Sequence, residues 1–540
     1  MKQKKQTKPD GWNKNALLVF LFIGFILRVI PVFWGIPLKP YIRSYHPDEA
    51  KVLNSILSFP EIYWTTKPFA GYGTAVQYIL GIFLLPFKWF FLKSLHLGYE
   101  YFIIVSIFSR FASIMFGTGC ILLTYLTAKK IYDEKVALLS AAFLSVAFFH
   151  TLNSALITLD VSSSFILMLN FFLCFKAIES NRWRDYIILG IASGILVGTK
   201  TVLGIFFCIP FLLNFLKLYA PQNDHEKDRA QFQLQAKYLL SYVVVAVMTF
   251  IIFHPHIFLD IDKYVAFYMK EKHDWIDRSH GTIYQMFGTW KDSTIKSIGP
   301  FITLLAFMGA IPSGGKKLRF KSMLLFFVIL YYVFWRWFLL PRYIIVVSPI
   351  LCIFAAAACM FFYNKNNILN KISIILTVMV FGYSLYACIS GISLRLNDTR
   401  LSAAKFIMEN IPERTTIGVS GVSERYDWRT HSWNYPKIDF KKYRVMNFLS
   451  GPEILILNST DFEAVLTALN SGELLNDYVL PESHYKDWYR YSAPSPKIFK
   501  FYDDLLIKNK SPYVLLKIFK RKVNVPLEFA PPEIRIYKKQ

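Results

Sequence analysis

An acidic pair just beyond the first apolar run is the part of this chain best suited to chemistry. Residues 46–49 read His46-Pro47-Asp48-Glu49, and they follow the apolar run 16–34. Adjacent carboxylates at a membrane surface gain nothing from burial and are repelled by anionic lipid head groups. They are suited to accept a proton from a hydroxyl group or to bind a cation. The alternative is a solvated, exposed loop that happens to be acidic and contributes little to stability.

Further ionisable residues occur inside apolar runs or at their ends. Such groups are costly at membrane depth unless they are functional or paired, or reach the interface as long side chains. Together they predict an outward-facing cavity with acidic and basic groups. Such a cavity suits the deprotonation of a nucleophile and the stabilisation of a phosphate leaving group. The residues are Arg110, Asp160, Lys200, His254, His256, Arg336 and Arg342.

The elements that must position these residues are membrane-spanning helices. Of 540 residues, 54% are hydrophobic and 18% are charged, whereas soluble globular chains carry about 25% charged residues. Apolar runs follow one another from residue 16 to residue 393, which predicts a multi-span α-helical membrane protein. Basic loops on the cytoplasmic side explain the net charge of +25. No recognised nucleic-acid-binding module occurs, so nucleic acid is excluded as a partner.

Loop charge predicts the topology. The N-terminal ten residues are basic and no small-residue cleavage site follows the first apolar run. We therefore interpret that run as a retained signal anchor with a cytoplasmic N-terminus, in a multi-pass protein of the cell membrane. About eleven spans result, with the basic loops inside. After the first, they are predicted near residues 103–127, 136–150, 162–179, 186–200, 201–217, 238–257, 296–312, 323–340, 343–362 and 372–393.

One apolar run is left out of this count. If residues 76–91 crossed the membrane, every later basic loop would lie outside, against the positive-inside rule. Pro86, Lys88 and Lys93 also interrupt the run or follow it. We therefore predict a segment lying in the interface, within a long first outer loop over residues 37–102.

The composition changes after residue 395, which predicts two domains, 1–395 in the membrane and 396–540 outside it. Residues 399–411 have the pattern of a short amphipathic helix. Residues 415–419, 444–448 and 453–457 are typical of short strands, and residues 461–470 of a helix. The second domain is therefore predicted to be a small α/β domain on the extracytoplasmic side.

Several short motifs resemble those of the GT-C glycosyltransferases. More narrowly, they resemble the superfamily of protein O-mannosyltransferases and ArnT-like aminoarabinose transferases. Within it, they resemble the bacterial members that use a polyprenyl-phosphate sugar. In order and predicted sidedness, the match covers roughly residues 15–420. The motifs are Asp48-Glu49, Lys67-Pro68-Phe69-Ala70-Gly71-Tyr72, Asp160, Gly198-Thr199-Lys200, Arg342-Tyr343, and Asp398-Thr399-Arg400 followed by Ala403 and Ala404.

The resemblance implies an inverting enzyme that moves a sugar from a polyprenyl-phosphate carrier to a hydroxyl acceptor outside the membrane. The acceptor would be a protein, a lipid or a glycan. Asp48 would match the catalytic base with Glu49 beside it, and Asp160 would match a second essential acid. Lys67 would match a lysine that contacts the lipid phosphate, and Arg342 would match the late arginine near it. The predicted donor-binding set is Lys67, Tyr72, Lys200, Arg336 and Arg342.

The sequence identifies no certain cofactor, and a divalent metal ion is an open alternative. His46, His254 and His256 are the candidates to ligate such an ion together with Asp48, because imidazole and carboxylate suit divalent transition metals.

Two other functions compete with the transferase. A transporter or flippase of lipid-linked sugars predicts inverted repeats and charges near the bilayer midplane, whereas this chain shows no repeat and its charges lie near one face. A surface-polysaccharide polymerase or ligase usually has its main loop late in the chain, whereas the informative loop here is the first.

Overall fold

The computed structural model divides the chain into two compact units. The first contains residues 1–32 and 51–389, and the second contains residues 33–50 and 390–540. The residues that the structure describes are 11–36, 46–64, 73–94, 98–218, 225–259, 261–262, 265–266, 269, 282–311, 318–335, 339–363, 366–419, 442–459, 462, 496–521 and 531–540.

Apolar helices build the first unit. In chain order the helices are α1 (Gly11–Val29), α2 (Pro47–Leu57), α3 (Ala75–Lys88), α4 (Gly98–Ile131), α5 (Glu134–Ser145), α6 (Phe148–Asn153), α7 (Leu159–Ser180), α8 (Trp183–Thr199), α9 (Cys208–Leu218), α10 (His225–Phe253), α11 (His256–Leu259), α12 (Ile283–Ile298), α13 (Pro300–Ala310), α14 (Leu318–Phe334), α15 (Ile344–Tyr363) and α16 (Asn367–Leu396).

The predicted multi-span membrane class is confirmed. Among the described residues, six helices are long and apolar enough to cross a membrane, or seven if the pair α12 and α13, bent by 117°, forms one span. The predicted number of about eleven is not confirmed. Several predicted spans coincide with shorter helices: the span predicted at 136–150 is divided between α5 and α6.

The segment predicted to lie in the interface is helical. It forms α3 and a following π-helical turn, Trp89–Ser94. Its length and composition also satisfy the requirements for a span, Ala75–Leu92. One side is buried, at Tyr78 and Leu84, and the other exposes Phe83 and Trp89. An apolar exposed side fits lipid whether the helix crosses or lies flat, so the interfacial position stays a prediction.

The core of the first unit lies around α7 and α15. The ring of Phe171 in α7 meets those of Phe206 and Phe327 edge-on, with centroids 5.1 and 5.3 Å apart. Gly309 in α13 lies against the carbonyl group of Phe354 and leaves no room for a Cβ atom. The close approach of α13 and α15 fixes the position of α15, which begins directly after Arg342 and Tyr343.

A mixed five-stranded sheet forms the centre of the second unit, which confirms the predicted small C-terminal domain. The strand order is β2-β1-β3-β5-β4, in which β2, β1 and β3 are parallel and β5 is antiparallel to both β3 and β4. The strands are β1 (Thr416–Val419), β2 (Arg444–Asn447), β3 (Ile454–Asn458), β4 (Tyr513–Phe519) and β5 (Ile534–Lys539), with helices α17 (Thr399–Asn410) and α18 (Pro496–Tyr502).

The first three strands and α17 lie within one residue of their predicted ends. The strands β4 and β5 were not predicted, and the helix predicted at 461–470 lies outside the described residues except for Phe462. The two-domain boundary at residue 395 stays a prediction. The second compact unit begins at residue 390 and also includes residues 33–50 of the first-loop region.

Candidate functional site

An ion pair joins two of the predicted site residues. Asp160 lies in the first turn of α7, where the helix dipole favours a carboxylate, and Lys200 is the residue at which α8 ends. Nζ of Lys200 lies 2.5 Å from Oδ1 of Asp160, and the two side chains are 17% and 14% exposed. With so little water around it, the pair is weakly screened, so each charge orients the other.

Two stacked aromatic rings line Lys200. The rings of Trp335 and Tyr343 have centroids 4.0 Å apart and planes 26° apart. Nζ of Lys200 lies 5.0 Å from the centre of the Tyr343 ring and 6.0 Å from that of Trp335. The buried Tyr331 hydroxyl donates to the Tyr343 carbonyl oxygen at 2.9 Å, which fixes the position of that residue. The ring faces therefore attract the ammonium group by cation–π interaction.

Arg342 brings a second cation to the same ring. Its guanidinium carbon lies 5.3 Å from the centre of the Tyr343 ring, and the side chain is half-buried. Lys200 and Arg342 therefore both lie close to one aromatic ring. Arg336 lies outside the described residues, so its predicted role stays a prediction.

A close backbone contact holds the start of α3 beside Lys200. Gly73 lies against the backbone of Gly198 and Thr199 so closely that a Cβ atom would not fit. Gly73 directly follows the segment 67–72, and Gly198 is two residues before Lys200. Lys67 and Tyr72, predicted to bind the donor, lie outside the described residues.

His254 takes part in the same junction through a side-chain contact. Its Nδ1 lies 3.1 Å from the Thr74 hydroxyl, which also donates to the Phe253 carbonyl oxygen. Its ring stacks on Phe250 at 5.5 Å between centroids. His256 begins α11, and its side chain is not among those described. His254 thus has a packing role at the end of α10.

A fully buried arginine fixes the break between α5 and α6. Arg28 donates to the carbonyl oxygens of Leu144 and Ser145 over 3.3 and 3.1 Å, and its Nη2 lies 3.0 Å from Nδ1 of His150. A helix C-terminus leaves such carbonyls without intrahelical donors and carries a partial negative charge. Arg28 therefore stabilises the turn through which the chain passes to Asp160.

The acidic pair lies in the first turn of α2 and belongs to the second compact unit. The side chain of Glu49 is fully buried and Asp48 is 9% exposed, which disagrees with the alternative of a solvated, exposed loop. The backbone N–H of Asp48 donates to Nδ1 of His46 over 3.2 Å. Neutral His46 therefore carries its proton on Nε2 in this arrangement. Carboxylates at a helix N-terminus are favoured by the dipole.

The proposed histidine ligands do not assemble with Asp48 into a metal site in the described part of the chain. No group of three or more His, Cys, Asp and Glu side chains there is placed to hold a metal ion. Nδ1 of His46 is engaged by a backbone N–H. The described carboxylates and histidines therefore do not fit the metal alternative.

Sequence reasoning missed the residues that support the charged ones. Arg28 had a visible signal, a charge at the end of the first apolar run. Gly73 and the aromatic residues Tyr331 and Trp335 had none, because glycines and aromatic residues are frequent throughout these helices.

A family model and several solved structures are similar to this chain. The model of the dolichyl-phosphate-mannose-protein mannosyltransferase family matches residues 95–258. No curated protein sequence matches the chain.

The oligosaccharyltransferase AglB of Archaeoglobus fulgidus, in complex with an inhibitory peptide and a dolichol-phosphate, superposes with a TM-score of 0.53 at 12% identity, over 98% of this chain and 88% of that chain. The same enzyme tethered to an acceptor peptide with the NVT sequon gives 0.51 at 11% identity, over 98% and 89%. ArnT from Cupriavidus metallidurans bound to undecaprenyl phosphate gives 0.49 at 14% identity, over 88% and 96%.

Proposed function

We propose a function from the premise that this chain is a membrane protein with the GT-C glycosyltransferase fold. It transfers a sugar from a polyprenyl-phosphate carrier to a hydroxyl acceptor on the extracytoplasmic face. The mannosyltransferase family model over residues 95–258 supports a transferase. The sugar is a hexose or pentose carried on the lipid phosphate.

The observation that carries the proposal is the Asp160–Lys200 pair beside the ring of Tyr343, with Arg342 on the same ring. A lipid phosphodiester is anionic, and two fixed cations beside an apolar wall suit its phosphate and the start of its hydrocarbon chain. The AglB structure with a similar fold holds a dolichol-phosphate, which supports a lipid phosphate as the ligand of this fold.

The cations have a catalytic role because charge develops on the phosphate during transfer. The bond between C1 of the sugar and the phosphate oxygen breaks, and its electron pair stays on that oxygen. The leaving lipid phosphate gains a second negative charge, which Lys200 and Arg342 stabilise more strongly than the ground state. Asp160 acts as a positioning residue, since it holds the ammonium group of Lys200.

Asp48 is the proposed general base. A hydroxyl oxygen attacks C1 from the face opposite the phosphate while its proton passes to the Asp48 carboxylate. The new bond from C1 to the acceptor oxygen forms as the old one breaks, so the configuration at C1 inverts. Burial of Asp48 and Glu49 excludes water that would compete with the acceptor.

The proposal is tested with the purified full chain in liposomes and a set of radiolabelled polyprenyl-phosphate sugars. We expect one donor to be consumed, with the label appearing on a hydroxyl-bearing acceptor and the opposite anomeric configuration in the product. The matched comparison is Lys200→Ala in the same liposomes, which should transfer the sugar about 100-fold less efficiently.

Two outcomes would overturn the proposal. If label crossed the bilayer with the bond from C1 to phosphate intact, the chain would be a flippase. If every donor stayed intact and on its own side, neither function would stand. Alkaline β-elimination of a protein product separates a serine or threonine linkage from an amide linkage.

A further inference from the structure

We infer that the C-terminal unit positions the catalytic base, through an anchor that ties the start of the first loop to the beginning of α17. The anchor consists of Trp34, Arg395, Asp398 and Arg400. The inference rests on the proposed function, because only that proposal makes Asp48 the general base.

A carboxylate lies at the centre of the anchor. The indole N–H of Trp34 donates to Oδ2 of Asp398 over 2.9 Å. Arg400 donates to both oxygens of the same carboxylate, with Nε 2.9 Å from Oδ1 and Nη2 2.6 Å from Oδ2. The backbone N–H of Arg400 also donates to Oδ1, so Asp398 caps α17. Planar, two-point contacts of this kind fix direction as well as distance.

Two guanidinium groups lie on the ring of Trp34. The Cζ atoms of Arg395 and Arg400 lie 4.6 and 5.7 Å from the centre of the Trp34 ring. All four side chains of the anchor are at most 5% exposed. Cation–π attraction increases when the charge is removed from water. The ring of Trp34 is therefore held both by the hydrogen bond of its N–H group and by two cation–π contacts. A tryptophan that only anchors a helix at the membrane interface does not require this number of contacts.

The anchor continues into the sheet. The Thr399 hydroxyl donates to the carbonyl oxygen of Pro532 over 2.6 Å, two residues before β5 begins. Ala403 and Ala404 of α17 are buried in the core that contains Ile417 of β1 and Ile536 of β5. The motif Asp398-Thr399-Arg400 thus links Trp34 to the framework of the C-terminal sheet.

The acidic pair shares this unit. Residues 33–50, which include Trp34, Asp48 and Glu49, are compact with residues 390–540, whereas α2 from Lys51 onward belongs to the membrane unit. Trp34 and the proposed base Asp48 are therefore described in the same compact unit as the C-terminal sheet. The proposed donor residues Asp160, Lys200 and Arg342 all belong to the other unit.

This division predicts which kinetic constant changes when the anchor is broken. Loss of the anchor should misplace the base and leave the donor cations unchanged. A displacement of the base of about 1 Å costs about 100-fold in rate, so kcat should fall while KM for the lipid donor stays constant. A merely structural role would instead lower thermal stability without such a split.

The test uses Trp34→Phe and Asp398→Asn in the full chain in liposomes. Trp34→Phe keeps an aromatic ring and removes the donor to Asp398. The matched control is Trp183→Phe, because the indole N–H of Trp183 also makes one hydrogen bond of 2.9 Å, to Ser241 in the membrane unit. We measure kcat, donor KM, the melting temperature, and hydrogen exchange of the amides of residues 48–57.

We expect both anchor variants to lower kcat by about 10- to 100-fold with donor KM unchanged, and to speed amide exchange at the start of α2. Trp183→Phe should change none of these. Wild-type kcat and exchange in both anchor variants would overturn the inference, and so would a raised donor KM with kcat unchanged. If Asp398→Asn does not fold, the kinetics and exchange of Trp34→Phe alone decide the inference. This variant keeps an aromatic ring and removes only the N–H group that donates to Asp398.

The inference and the proposed function fail in different ways. If Asp48→Asn abolishes transfer and Trp34→Phe does not slow it, the function stands and the anchor role is wrong. If the chain transfers no sugar from any lipid donor but Trp34→Phe speeds exchange at residues 48–57, the anchor holds the helix start and the proposed function is wrong.

Discussion

Asp48 combines a carboxylate, burial and a helix N-terminus in one residue, and this combination allows a sharp test of the general base. Asp48→Asn keeps the size of the side chain and its capacity to accept hydrogen bonds, but it removes the base. We expect kcat to fall by about 10²–10⁴-fold, measured with the labelled lipid donor in liposomes. Glu49→Gln should cost less activity, since Glu49 is assigned no proton-transfer step.

The stability of these two variants needs separate measurement because both carboxylates are buried. Loss of the dipole interaction in Asp48→Asn should lower the unfolding free energy by about 1 kcal/mol, and the fold should survive. A purified, folded Asp48→Asn protein with the wild-type kcat would contradict its role as base, and Asp160 would then become the first candidate.

Lys200 and Arg342 are predicted to serve the donor rather than the fold. Lys200→Ala and Arg342→Ala should reduce kcat/KM for the lipid donor by about 10²-fold each, because a charge-assisted contact to the leaving phosphate is lost. Lys67→Ala should act in the same direction. Lys405→Ala, which removes a surface lysine of the second unit that is 76% exposed, is the matched control. Unchanged donor kinetics in the Lys200 and Arg342 variants would reject the assignment.

Among the elements, α3 and α8 meet at a contact that only glycine allows. A Cβ atom at Gly73 would overlap the backbone of Gly198 and Thr199, which cannot move aside as a flexible side chain does. Gly73→Ala should therefore destabilise the protein by about 1–3 kcal/mol. It should also raise KM for the lipid donor, because the displaced residues Gly198 and Thr199 directly precede Lys200.

The control for this substitution is Gly382→Ala in α16. Nothing lies within 4 Å of a Cβ atom at Gly382, and alanine favours a helix over glycine by about 1 kcal/mol. Its melting temperature should stay the same or rise, with donor KM unchanged. If Gly73→Ala behaved like Gly382→Ala in thermal shift and kinetics, the junction would have no role in placing Lys200.

At the scale of the whole molecule, the two compact units divide the chemistry. The residues proposed to bind the donor lie in the membrane unit, and the proposed base lies in the unit with the sheet.

The basic loops predict the orientation of the chain in the membrane. We predict that residue 85 is outside or interfacial, residue 132 is cytoplasmic and residue 450 is outside. Single cysteine substitutions labelled with a membrane-impermeant maleimide in sealed vesicles test this. The background is low, because five of the six native cysteines are buried and Cys208 is half-buried. Labelling of residue 450 only from the cytoplasmic side would contradict the topology.

The same experiment decides between the two positions of Ala75–Leu92. This segment is apolar and long enough to cross, and a crossing would reverse the side of every later loop. Residue 132 labelled from outside would show that it crosses.

The sequence by itself determined the membrane class, the approximate positions of the apolar helices and the first three strands of the C-terminal sheet. Each of these depends on local pattern: length and hydropathy for helices, alternation and turn residues for strands. Asp160, Lys200 and Arg342 were also visible in sequence, because a charge within or at the end of an apolar run is rare and costly.

Only the tertiary structure decided how those charges are used. The Asp160–Lys200 pair joins the first turn of α7 to the residue that follows α8, 40 positions apart in sequence, so no local spacing encodes it. The hydrogen bond from Trp34 to Asp398 likewise joins residues that are 364 positions apart in sequence. Contacts of this range arise from the packing of whole elements, which a linear pattern of residue types does not specify.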